Sequence, residues 1–117
     1  MSNAETLKRF YDAMEQHDWN TKRGMIWDDF HFHGPLMQAK SADDFINNVK
    51  QFNCEVKFAD VEMIEKGDTV MSFFTFNISK PFIGSFRMAE KVQFRLGRIQ
   101  SSELIYDARP FPEMKSA

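Results

Sequence analysis

The chain has 117 residues, a formal net charge of −2 and a pI near 5.9, a size that suits one domain spanning 1–117 with a core of its own. Such a charge offers no field for a phosphate backbone, and no apolar run approaches the ~20 residues of a membrane span, so neither nucleic acid nor membrane is an expected partner. Cys54 is the only cysteine, which excludes an intrachain disulfide. With a polar start from Met1 to Lys8 that lacks a signal core, this leads to the expectation of a cytoplasmic protein.

Taken in chain order, the apolar residues change period once, after Asn53. Ser2 followed by Glu5 reads as a capping box opening a helix over about 5–17, with Leu7, Phe10, Tyr11 and Met14 on its inner stripe. Asn20 is the expected N-cap of a short second helix presenting Met25 and Ile26. Asp29 to His33 alternates as a strand until Gly34-Pro35 ends it. Ser41 with Asp44 opens a third helix carrying Phe45, Ile46, Val49 and Phe52. Four strands follow, over about 54–65, 69–80, 84–96 and 99–107. Lys66-Gly67-Asp68 and Gly97-Arg98 supply hairpin turns, while Pro81 and Gly84 suggest a bulge or wider turn. Helices first and an antiparallel sheet second predict an α+β domain, its helices on one face of the sheet.

The stretch Trp27-Asp28-Asp29-Phe30-His31-Phe32-His33-Gly34-Pro35 resembles the strand ending in His-Gly-Pro of the SnoaL-like, nuclear-transport-factor-2-like superfamily. Leu96-Gly97-Arg98-Ile99 with Ile105-Tyr106-Asp107 is similar to that family's C-terminal hairpin, and the likeness runs from Glu5 to Phe111. The resemblance, which extends to the ketosteroid isomerases, implies a cone. A curved antiparallel sheet would wrap over three N-terminal helices and enclose an apolar pocket, in a homodimer. Compared with the ketosteroid isomerases, Phe10 stands where an oxyanion tyrosine is expected, Gly34 where the aspartate base is, and Glu90 near the second oxyanion donor. A phenyl ring offers no hydroxyl and glycine moves no proton, so that reaction is not expected. Asp12 matches the first-helix aspartate of scytalone-type dehydratases, but Cys54 or Glu55 stands where they have histidine. Lys91, Gln93 and Leu104 replace the Asp-Arg-Asp triad of limonene-type epoxide hydrolases.

Among residues able to carry chemistry, Glu90 comes first. It alternates with Phe86, Met88, Val92 and Phe94, which puts a carboxyl on an apolar face, the setting in which a glutamate becomes a usable acid or base. Tyr11, on the buried stripe of the first helix, is the candidate hydrogen-bond donor. Asp107 reaches the pocket mouth or else pairs with Arg109. His31 and His33 share one strand face but lack an evident third ligand, so no metal is expected, and no cofactor motif is present. The 13 Phe and 8 Met fill a core or line a cavity; Phe10, Met14, Ile26, Phe32, Phe74, Phe76, Met88 and Val92 are the expected lining.

The leading expectation is a protein that binds a small hydrophobic molecule. An isomerase, dehydratase or cyclase using Glu90 as its proton-transfer group is the alternative, as is a non-catalytic dimerisation module. Met71, Phe73 and Thr75 alternate with the inward set and would form an outer face apolar enough to pair two copies.

Overall fold

In the computed structural model, residues 1–112 are described. Three helices come first: α1 (Asn3–Glu15), α2 (Trp19–Gly24) and α3 (Ala42–Phe52). Strands β1 (Ile26–His33) and β2 (Gln38–Ala39) separate α2 from α3, and β3 (Glu55–Lys66), β4 (Thr69–Lys80), β5 (Gly84–Arg95) and β6 (Arg98–Ile105) follow. The six strands form one sheet in the order β2-β1-β6-β5-β4-β3. It is an α+β fold, a curved sheet left open at its edges and wrapped over the helices.

The caps explain where the helices begin. Ser2 Oγ accepts from Glu5 N at 3.1 Å, the N-cap half of the expected capping box, and donates to the Glu5 carboxylate at 3.2 Å. Ser41 Oγ accepts from Asp44 N at the start of α3. The second helix is capped by Asp18, not Asn20: the Asp18 carboxylate accepts from Thr21 N at 3.2 Å. The chain breaks earlier than expected because α1 ends at Glu15 and His17 turns left-handed, with φ 55°. That places Asp18 one residue ahead of Trp19, where a cap belongs.

The sheet is antiparallel along its meander but not throughout. β1 runs parallel to β6, with Ile26 opposite Ile99 and Phe32 opposite Ser102. Its neighbour in space is the last strand in sequence, so no hairpin dictates its direction. The wide turn at Pro81 leaves the β4–β5 register continuous from Thr69↔Gln93 to Ile78↔Gly84, so no bulge follows Gly84. One bulge lies in β3, where register slips between Ala59 and Glu62 and Asp60 takes φ 51°. An extra residue there bends the strand and adds twist, which lets the sheet curl over α1. The last turn uses Leu96 and Gly97, both at positive φ, one residue earlier than expected.

One face of the sheet packs on the helices. Leu7, Ile26, Phe30, Val70, Val92 and Ile99 are fully buried and close the narrow end of the cone. The wide end stays open.

Candidate functional site

A cavity of about 780 Å³ occupies the space between the concave sheet face, α1 and α3. Phe10, Met14, Phe32, Phe74, Phe76 and Met88 line it, as the alternation of the sequence predicts. Ile26 and Val92 do not. Both are buried behind the wall, because the cavity ends at Glu90 and the next inward residues fill the narrow end. Strand alternation assigns a side chain to a face but does not say how far along the strand the hollow extends. Exposed Pro35, Leu36 and Gln51 mark the mouth.

Aromatic contacts shape the walls. Tyr11 stacks on Phe58 with ring centroids 4.4 Å apart, and Phe74 tilts against both rings at 5.1 Å. Phe45 of α3 meets Phe32 at 5.0 Å. Gly34 lies beside this cluster: a Cβ there would come within 3.0 Å of the Phe32 ring. The ring takes the space that an isomerase-type aspartate would need.

The floor is polar. Glu90 is 6% exposed, and both of its carboxylate oxygens are bonded. Tyr11 donates to Oε1 at 2.6 Å and Ser102 donates to Oε2 at 2.5 Å. Burial, followed by the charge and hydrogen bond of Glu90, holds the Tyr11 hydroxyl far above its usual range, so tyrosine remains the donor. The fully buried Ser72 hydroxyl sits beside Tyr11 and has no hydrogen-bond partner among the described residues. A pair of hydroxyls thus aims and steadies the buried Glu90 side chain.

A fifth buried polar group is Lys22, which the apolar periodicity of the chain does not single out. Its side chain is 3% exposed and lines the cavity. Nζ lies 3.3 Å from the centroid of the Phe10 ring, and its one hydrogen bond, to Phe10 O, is 3.4 Å long. Desolvation lowers its pKa to about 7, against the opposing pull of Glu90. Arg23 holds this short helix in place, pairing with Asp28 of β1 at 2.7 Å and Asp43 of α3 at 2.9 Å. The signal was present in the sequence. Trp19, Lys22 and Met25 recur at three-residue spacing, and Trp19 and Met25 pack on the core.

The remaining candidates lie elsewhere. Asp107 is exposed and paired with Arg109 at 2.7 Å, which holds its carboxyl down at about 2. It does not line the cavity; Tyr106 does. Strand β6 stops at Ile105, so alternation no longer steers residue 107 inward. Asp12 points to solvent. Cys54 is buried, donates to Phe52 O, and burial raises its thiol to about 11, the profile of a packing residue. His31 and His33 stand exposed on the outer face, in register with Ser101 and Glu103.

Residues 7–101 match the family model of the SnoaL-like domain. The chain belongs to the SnoaL-like domain family. No curated protein matches this SnoaL-like chain in sequence. Solved structures do share its fold. An NTF2-like protein of unknown function from Cytophaga hutchinsonii superposes with TM-score 0.82 at 17% identity, covering 94% of each chain. A proposed polyketide cyclase from Xanthomonas campestris gives 0.84 at 12% identity, with 93% of each chain covered. A proposed ketosteroid isomerase from Kribbella flavida gives 0.78 at 8% identity, covering 98% of this SnoaL-like domain and 90% of that chain. At these identities the likeness is one of fold.

Proposed function

We propose that this SnoaL-like domain binds a small, largely apolar organic molecule whose polar end reaches Glu90, Tyr11 and Lys22. The observation that carries this reading is a mostly apolar cavity of about 780 Å³ with its buried polar groups, Tyr11, Lys22 and Glu90, gathered at one end, the usual build of a small-molecule site. Similarity to folds named for polyketide cyclase and ketosteroid isomerase agrees with it. Flat apolar compounds carrying one oxygen should raise the melting temperature by mass action, while sugars and nucleotides should leave it unchanged. A null result across the apolar series would refute the reading. Native mass spectrometry of freshly purified protein supplies a second check, as a retained molecule of defined mass.

A catalytic form of the same reading rests on the carboxylate. Glu90 is oriented by two donors and faces the hollow, so proton transfer to and from a bound molecule falls to it, with Tyr11 as donor. Glu90→Gln should then abolish turnover and keep ligand affinity.

The outer face supports a homodimer. Ile64 and Ile105, 65% and 59% exposed, flank Phe73 and Met71 on the convex side of β3 to β6. Burying that band against a second copy removes apolar surface from water at ~25 cal/mol per Å². Sedimentation at micromolar concentration should give twice the chain mass, and Phe73→Glu should give the monomer. A monomeric parent would refute the pairing. No described helix is long and apolar enough to cross a membrane, and the buried thiol of Cys54 suits a reducing, cytoplasmic setting.

A further inference from the structure

We propose that Lys22 is a nucleophile that captures aldehydes and ketones in the cavity as a Schiff base. The inference rests on the reading of the cavity as a small-molecule site and extends it to a substrate class, carbonyl compounds with an apolar body.

The geometry carries the argument. Among the described residues, Lys22 is the cationic side chain lining the cavity, and its amine is held over a ring face with only one long hydrogen bond to a backbone carbonyl. An ammonium has three donors, and in this position two have no partner among the described residues. Phe10 and Phe45 surround the amine with apolar surface, at 3.3 and 5.7 Å from their ring centroids. Glu90 of β5 is the charged group that acts on it, and Tyr11 of α1 is the titratable group bonded to that carboxylate. Strand β1 presents Phe32 to the same space and α3 presents Phe45. Desolvation of this kind shifts a lysine toward its free-amine form, the form that attacks carbonyl carbon.

The chemistry balances with the groups present. The Nζ lone pair adds to the carbonyl carbon, and the C–O π electrons move to oxygen. Nitrogen loses a proton to the Glu90–Tyr11 pair and the oxygen takes one from it, giving a neutral carbinolamine with the pair unchanged. The pair then carries the remaining N–H proton to the hydroxyl, the C–O bond breaks, water leaves, and the nitrogen lone pair forms C=N. One carbonyl compound and one amine thus yield one imine and one water. No oxidant or reductant is consumed, and hydrolysis reverses the sequence.

The probe is 2-naphthaldehyde with sodium cyanoborohydride on the full chain, which fixes any imine as a secondary amine. 2-Naphthylmethanol, which has no electrophilic carbon, serves as the binding control. Intact mass should show one naphthylmethyl group, and peptide mapping should place it on Lys22 among the 9 lysines. At pH 7 labelling of Lys22 should exceed that of any surface lysine by at least about 100-fold, given the ~10³-fold difference in free-amine fraction. Its rate should level off above neutrality, whereas surface lysines should keep gaining rate up to pH ~10.5. Lys22→Arg, which keeps the charge, should lose the label. Even labelling of all lysines, with the alcohol still raising the melting temperature, would overturn the nucleophile and leave the cavity reading standing. Failure of both alcohol binding and Lys22 labelling would overturn both. Because mapping on the parent chain decides the matter, the result does not depend on how well a Lys22 variant folds.

Discussion

Phe74→Ala is expected to lower the stability of the folded chain by about 3–5 kcal/mol, the range for truncating a buried phenylalanine. Phe74 is 2% exposed and packs on Tyr11 and Phe58, each at 5.1 Å. Its loss enlarges a hollow that is already present, so the walls have little left with which to close the gap. The change also loosens the ring that carries the hydroxyl bonded to Glu90. Urea unfolding should show a lower midpoint with an unchanged slope. Phe73→Ala, one residue away on the outer face and 37% exposed, should cost about 1 kcal/mol or less in the monomer. Equal losses at the two positions would contradict the assignment of faces.

Stability should rise with pH from 7 toward 9, and Lys22 is the cause. Its pKa is about 7 in the fold against 10.5 in an unperturbed lysine. Between those values the unfolded chain holds a proton that the folded chain has released, so unfolding takes up a proton and higher pH favours the fold. Below pH 7 both states are protonated and the full cost of the buried charge is present. That cost is on the order of 5 kcal/mol, a little over half of it recovered by pH 9. Above pH 9 the lysine contribution is progressively offset. Burial raises Cys54 from 9.0 to about 11 and raises Tyr11 above 10.0, so these groups ionise first in the unfolded chain. Melting temperature should therefore peak between pH ~9 and ~10, where their combined proton loss overtakes the proton held by the unfolded lysine. Lys22→Met should flatten the rise between pH 7 and 9. Glu90→Gln should move the start of the rise to lower pH, because the carboxylate is what holds the lysine's pKa up. A parent chain with no rise over this range would show that the lysine is not desolvated.

Much of the architecture was legible in the residues, because helices and half-buried strands write their periods into the chain. The inner stripe Leu7, Phe10, Tyr11, Met14 and the capping serines Ser2 and Ser41 located α1 and α3. Alternation from Val70 to Phe94 paired β4 with β5 and turned Glu90 inward, while Leu96, read as the next inward residue, lies exposed in the turn. Where local chemistry was ambiguous, the reading slipped: Asp18 rather than Asn20 caps α2, and the two-residue β2 is too short to carry a pattern.

The site itself was half legible. Glu90 and Tyr11 were recoverable because each lies on a face its own element defines, but their mutual hydrogen bond joins residues 79 positions apart. Ser102 reaches the same carboxylate from β6 across the β5–β6 hairpin, whose turn the residues signal but whose register, slipped between Gln93 and Phe94, they do not. Lys22 was hidden by charge: a lysine on a short helix is ordinarily solvated, and only the packing of α2 against the cavity buries this one. The residues by themselves determined the helices, the meander and the inward face on which a carboxyl stands. Tertiary structure alone decided that the cone stays hollow at its wide end and ends at Glu90. It alone decided too that β1 runs beside β6 and that an amine shares the cavity with the carboxylate. Those outcomes depend on distances between elements far apart in sequence, which no local period encodes.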